Sequence, residues 1–135
     1  MAMGYKEMVA EAEKEAETIE VADAVKLLED DGVIFVDIRD VRELQREGKV
    51  PGATHAPRGM LEFWIDPESP YYRDVFGQDK RYVFYCAGAL RSALAVQTVQ
   101  KMGMTNVCHL GGGFAAWREA GAPIELMRER KDEEE

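Results

Sequence analysis

Two short apolar runs constrain the fold more than any other feature: Val33-Ile34-Phe35-Val36 and Tyr82-Val83-Phe84-Tyr85. Both are rich in β-branched or aromatic residues, and neither is interrupted by a polar position. Such a run makes a strand buried on both faces, the condition of a strand inside a parallel sheet. Parallel neighbours need crossover connections, usually helical. The sequence supplies helical stretches between its strands.

Tyr5, Met8, Val9, Ala12 and Ala16 recur at helical spacing with Glu and Lys between them. That is an amphipathic helix expected to dock on its own domain, a partner-binding role being the alternative. A short extended piece is expected near Thr18 to Glu20. Val21, Ala24, Val25 and Leu28 form a second helical stripe, closed by the turn Asp30-Asp31-Gly32. After the first buried strand, residues 39 to 47 read as a short helix stopped at Gly48. Val50-Pro51-Gly52-Ala53 is a turn, with a brief strand over Thr54 to Ala56. Met60 to Ile65 reads as helix and residues 66 to 70 as a loop. The second buried strand leads to a helix over Ser92 to Met102, stopped by Gly103. Val107 to Leu110 is a third clear strand. Gly111-Gly112-Gly113 then turns into a last helix carrying Phe114 and Trp117. Alternating strands and helices imply an α/β fold: three layers, α/β/α, around a mainly parallel sheet of about five strands. The expected organisation is an N-terminal helix over 1–17, one domain over 18–125 and a charged tail over 126–135, fraying from Arg128.

A length of 135 residues favours one domain, and 46% hydrophobic residues suffice for a core. The net charge of -9 argues against nucleic acid or an anionic membrane surface as partner. No apolar run approaches a membrane span, and Met1 to Glu17 lacks the apolar segment of a secretion signal. A cytoplasmic, reducing location is expected. The two cysteines, Cys86 and Cys108, are too few there for a disulfide framework. Two scattered His and two separated Cys show no metal-ligand spacing, so neither a metal nor an organic cofactor is expected.

Cys86 stands where a buried strand ends and a loop of small residues leads into a helix. In open α/β sheets, ligands bind beyond the carboxyl ends of the strands. Small residues let the backbone curl so that successive N–H groups point inward as an anion nest, reinforced by a helix N-terminus. A sulfur in that cradle is favoured as thiolate, and Arg91 adds positive charge. The thiolate is the attacking form. The alternative is an inert, buried strand-end cysteine before an ordinary helix cap.

Cys86-Ala87-Gly88-Ala89-Leu90-Arg91-Ser92 resembles the active-site loop of the rhodanese family, a Cys followed after four residues by Arg and then Ser or Thr. Three further segments resemble that family in the same order. They are Val36-Asp37-Ile38-Arg39 with Glu43, the turn Gly48-Lys49-Val50-Pro51-Gly52-Ala53, and Leu110-Gly111-Gly112-Gly113 with Trp117, Gly121 and Pro123. The resemblance spans about Thr18 to Ile124, and the segment Pro57 to Phe63 with Ile65-Asp66-Pro67 is similar to a bacterial single-domain subgroup. It implies a sulfurtransferase in which Cys86 attacks the outer sulfur of thiosulfate or another sulfane donor. Cys86 would become a persulfide and pass its sulfur to cyanide or a thiol. Ala87, Gly88, Ala89, Leu90 and Arg91, with Ser92, would hold donor and persulfide. Related phosphatases carry one more residue between Cys and Arg, so four intervening residues suit sulfur chemistry better than phosphate. Two departures stand out. Ala89 occupies a position where many relatives have Gly, and a positive φ there would strain it and weaken thiosulfate turnover. Lys49 replaces the usual His of a turn that reads as structural.

Arg58 is open between binding the donor's anionic end and plain surface exposure. Glu62 and Trp64 read as surface or core rather than pocket lining. Asp37, Arg39 and Glu43 read as an ion-pair network fixing the loop after the strand. His55 and His109 read as structural, since persulfide transfer needs no base once amides hold the thiolate. Cys108 reads as buried rather than resolving, and Phe114 and Trp117 as core. Tyr71 and Tyr72 are undecided. The expected partners are a small sulfur-containing anion such as thiosulfate and a thiol or cyanide acceptor, with a protein donor or acceptor also open. Two other functions compete: a sulfur-relay or regulatory protein-binding module, and a small cysteine phosphatase or arsenate reductase.

Overall fold

A five-stranded sheet in the order β1-β5-β4-β2-β3 runs through the centre of the molecule, every strand pairing parallel. The strands are β1 Thr18–Ile19, β2 Val33–Asp37, β3 Thr54–His55, β4 Arg81–Tyr85 and β5 Val107–Leu110. The helices are α1 Tyr5–Glu15, α2 Val21–Val25, α3 Val41–Glu47, α4 Leu61–Ile65, α5 Leu90–Lys101 and α6 Gly113–Glu119. The computed structural model describes residues 2–127, so the fraying expected from Arg128 lies outside the described residues.

The two apolar runs become β2 and β4, paired side by side from Val33 against Arg81 to Asp37 against Tyr85. Alternate side chains of a strand point to opposite faces, which is why both runs had to be apolar throughout. On one face Val36, Tyr82, Phe84 and Cys86 meet Leu61 and Ile65 of α4 and Ala95, Val96 and Val99 of α5. On the other, Phe35, Val83, Tyr85 and Cys108 meet Ala24 of α2 and Phe114 and Trp117 of α6. The result is the three-layer α/β/α arrangement.

α1 docks on the domain, with Val9 and Ala12 packed against Ala93 of α5. Only part of its apolar stripe is used, because Tyr5 and Met8 remain exposed. α3 is set by a capping box: the Asp40 carboxylate accepts from the Arg42 N–H, and Glu43 accepts from the Asp40 N–H. The segment after α6 returns to the Lys49 turn, where Lys49 and Glu125 exchange backbone hydrogen bonds of 2.9 and 2.8 Å. The Lys49 ammonium also donates to the Ala53 carbonyl, which gives this residue the structural role read from the turn.

Candidate active site

The strand order puts the end of β4 between β2 and β5, where the chain leaves the sheet in diverging directions. Cys86 is the first residue past β4 and is 1% exposed. It continues the face of Tyr82 and Phe84, so its sulfur lies toward α5. The Ser92 N–H donates to Sγ at 3.4 Å, and the Ser92 hydroxyl lies 3.6 Å from the same sulfur.

α5 begins at Leu90, two residues earlier than the apolar pattern alone suggests. Its cap is Ala89, at φ 73° and ψ 0°, the left-handed region. Ala89 is the one non-glycine residue with positive φ among the described residues. The strain anticipated for an alanine at this position is therefore present. That turn starts α5 beside Cys86, and of its opening amides the Ser92 N–H is the one that meets the sulfur.

The carbonyl side of the loop is tied down from α6. The N–H of Phe114 donates to the Cys86 carbonyl at 2.8 Å and that of Ala115 to the Ala87 carbonyl at 3.0 Å. The contact needs a residue with no side chain at Gly113, where a Cβ would fall 2.6 Å from the Ala87 oxygen. The triple glycine, read from sequence as a turn, is thus also a support for the loop.

Arg91 does not stand free beside the sulfur. Its guanidinium forks onto Glu43 of α3 at 2.9 and 3.1 Å. That contact holds the Glu43 carboxyl below its ordinary range and raises Arg91 above its own, with the Cys86 sulfur a smaller influence on Arg91. Glu43 therefore leaves the network expected with Asp37 and Arg39, and Glu47 takes its place. The buried Arg39 guanidinium binds the Asp37 carboxylate at 2.8 Å, the Gly48 carbonyl at 2.7 Å and Glu47 at 3.3 Å. It lies over the Phe114 ring, 4.3 Å from its centroid. This cluster fixes the loop after β2. His55 donates from Nε2 to the Arg39 carbonyl at 2.7 Å.

Arg58 is engaged by neighbouring side chains. It bonds Glu62 at 2.6 Å and reaches the Thr98 hydroxyl, in the C-terminal half of α5, at 3.4 Å. Trp64 stacks under Arg73, 3.5 Å from ring centroid to guanidinium. Tyr71 packs edge-on against Phe63. Cys108 belongs to the opposite face of the sheet from Cys86, and burial pushes its thiol up to about 11. His109 on β5 is buried and satisfied at both nitrogens, by Ser92 Oγ at 3.0 Å and Thr18 Oγ1 at 3.1 Å. Its proximity to Ser92 was not foreseen, because it follows from the pairing of Phe84 with His109 across β4 and β5. Burial depresses its basicity and so favours the neutral ring. Among the described residues, no three His, Cys, Asp or Glu side chains gather as a metal site. Among them, too, no helix is long and apolar enough to cross a membrane.

A parallel α/β/α domain with a cysteine at the end of its central strand, cradled by a helix start, defines a class of small cysteine-centred domains. The family model described as a rhodanese-like domain matches residues 20–120, and the chain belongs to that family. A Rhodopseudomonas palustris protein of unknown function, described as a possible tyrosine phosphatase, superposes with a TM-score of 0.90 at 54% identity, covering 93% of this chain and 96% of that one. The polysulfide-sulfur transferase homodimer of Wolinella succinogenes superposes with a TM-score of 0.68 at 30% identity, covering 93% and 90%. A mouse thiosulfate sulfurtransferase/rhodanese-like domain-containing protein is 26% identical over 67% of this chain and 61% of its own length. The chain spans 58 to 61% of the length of the first curated relatives it matches. Family and neighbours together support sulfur-transfer chemistry.

Proposed function

We propose that this protein is a sulfurtransferase that carries a sulfane sulfur as a persulfide on Cys86. The observation carrying the reading is the setting of Sγ, which receives the Ser92 N–H beneath the opening turn of α5. An amide donor and a helix N-terminus both favour a thiolate and an anionic donor. The Cys86 thiolate attacks the outer sulfur of thiosulfate. The bond between the two donor sulfurs breaks, and sulfite leaves with its electron pair. The outer sulfur of the resulting persulfide is then attacked by a thiol or cyanide, and the Cys86 thiolate departs. The amides of residues 87 to 91 hold donor and persulfide. Arg91, bound to Glu43, sets the shape and charge of the rim. A protein persulfide serves as donor in the same scheme. The free thiol it begins from goes with a reducing, cytoplasmic setting.

The test is intact mass after incubation with thiosulfate and, separately, with a persulfide donor. A gain of one sulfur atom that disappears in Cys86→Ser is the expected result. A folded protein that gains none from either donor overturns the reading. The description carried by the Rhodopseudomonas palustris structure supports a second reading, a phosphatase. Cys86-dependent hydrolysis of p-nitrophenyl phosphate, without sulfur uptake, would establish it instead. The four-residue spacing from Cys86 to Arg91 makes a cradle better suited to sulfur.

A further inference from the structure

The Ser92 hydroxyl touches two groups, Cys86 Sγ at 3.6 Å and His109 Nδ1 at 3.0 Å. Beyond the imidazole, His109 Nε2 lies 3.1 Å from the Thr18 hydroxyl on the edge strand. Ser92 and His109 are buried, whereas Thr18 is exposed. A continuous line of hydrogen bonds therefore runs from the sulfur, just past β4, to the surface through residues of α5, β5 and β1.

The chemistry of each group fixes the direction of that line. A thiolate only accepts, so the Ser92 O–H must donate to it. Ser92 Oγ is then the acceptor for His109 Nδ1–H. A neutral imidazole has one donor and one acceptor nitrogen, so Nε2 accepts from the Thr18 hydroxyl. Every group is satisfied in this arrangement only when Nδ1 carries the proton. Without a donor at Nδ1, nothing on the far side of the Ser92 oxygen fixes the direction of its O–H.

We propose that His109 is a positioning residue: by donating from Nδ1 to Ser92 Oγ, it keeps the serine hydroxyl aimed at Cys86 and so favours the thiolate that takes up sulfur. The proposal rests on the reading of Cys86 as the sulfur carrier. The groups facing His109 suit it. Glu13 of α1 is the acidic neighbour, Thr18 lies on β1, and Ser92 of α5 leads to Cys86. The acid raises the basicity of the imidazole less than burial lowers it, so the balance favours the neutral ring.

The experiment is a pH titration of the ultraviolet thiolate absorbance, with the Cys86→Ser protein subtracted. His109→Phe keeps the ring and removes the donor, and should raise the Cys86 midpoint by about one pH unit, or about tenfold in thiolate at low pH. His109→Asn puts an amide N–H near the place of Nδ1 and should restore the wild-type midpoint. In a Ser92→Ala background, His109→Phe should add nothing. An unmoved midpoint in His109→Phe, failure of Asn to restore it, or an equal shift without Ser92 overturns the proposal. If His109→Phe does not fold, Thr18→Val decides at the exposed end. An upward shift that vanishes in Ser92→Ala supports the relay, and no shift overturns it. Intact mass on the wild-type protein is read separately. A chain that takes up no sulfur defeats the functional reading, while the titration still judges the His109 contact.

Discussion

Gly113 and Ala87 are packed so closely that a Cβ carbon on Gly113 would lie 2.6 Å from the Ala87 carbonyl oxygen and 2.7 Å from that of Cys86. The start of α6 is pressed against the back of the cysteine loop, and its first amides grip the loop carbonyls. Gly113 also has φ +64°, a conformation that costs an L-residue roughly 1–2 kcal/mol. Gly113→Ala should lower stability by about 2 kcal/mol or more and impair sulfur loading out of proportion to that loss. Denaturant midpoints and intact mass on the folded protein check this. A variant as stable and as readily loaded as wild type would show that the loop does not depend on α6.

Ala89→Gly tests the other side of the loop. The left-handed cap is already built, so glycine removes a steric penalty without changing the path of the chain. The gain is partly offset by the greater freedom of glycine in the unfolded chain. A net stabilisation of about 0.5 kcal/mol is expected, with sulfur loading at least as fast. Destabilisation measured by chemical unfolding would mean that the loop does not need this conformation.

The pairing of Glu43 with Arg91 predicts an acid dependence. The folded-state carboxyl is held below its ordinary value, chiefly by the Arg91 hydrogen bond. The unfolded chain binds the proton more readily, so this stabilisation is complete above the unfolded value of about 4.3 and is lost as pH falls through the lower folded value. Glu43→Gln should be less stable than wild type at neutral pH, and the two should converge on acidification. Unfolding midpoints across that window give the answer, and a constant gap would exclude an ionic origin.

Arg39→Met should destabilise by about 3–5 kcal/mol, because it strands the buried Asp37 carboxylate. Arg39→Lys should recover little, since an ammonium cannot match the fork that spans Asp37, Glu47 and the Gly48 carbonyl. Calorimetric melting separates the two variants from wild type. A lysine variant close to wild type would show that charge alone suffices.

Much of this architecture is legible along the chain. The uninterrupted runs at Val33 and Tyr82 demand strands covered on both sides, and β2 and β4 occupy the middle of the sheet. Gly48, Gly103 and Gly121 end or follow helices as their positions suggest. The helix docking of α1 is also readable, though not which residues it buries: Tyr5 shares the stripe of Val9 yet stays exposed. Pairings between distant segments are a different matter. Glu43 sits in the same motif as Asp37 and Arg39, but α3 presents it to Arg91, and Glu47 reaches Arg39 instead. Spacing cannot predict that exchange, because both carboxylates lie on one helix and only its placement selects between them.

The loop after β4 is where the two kinds of information meet. Reading along the chain is enough to find a cysteine at a strand end, with four residues between it and an arginine, in a parallel α/β chain. Those are properties of order and period along one chain, and local chemistry is enough to read them. That Ala89 turns left-handed, that Gly113 backs the loop and that His109 stands behind Ser92 emerges from the packed fold alone. These depend on the register of β4 against β5 and on how closely α6 approaches. Hydrogen bonds and steric contact fall off within ångströms, whereas the residues they join lie up to 91 positions apart.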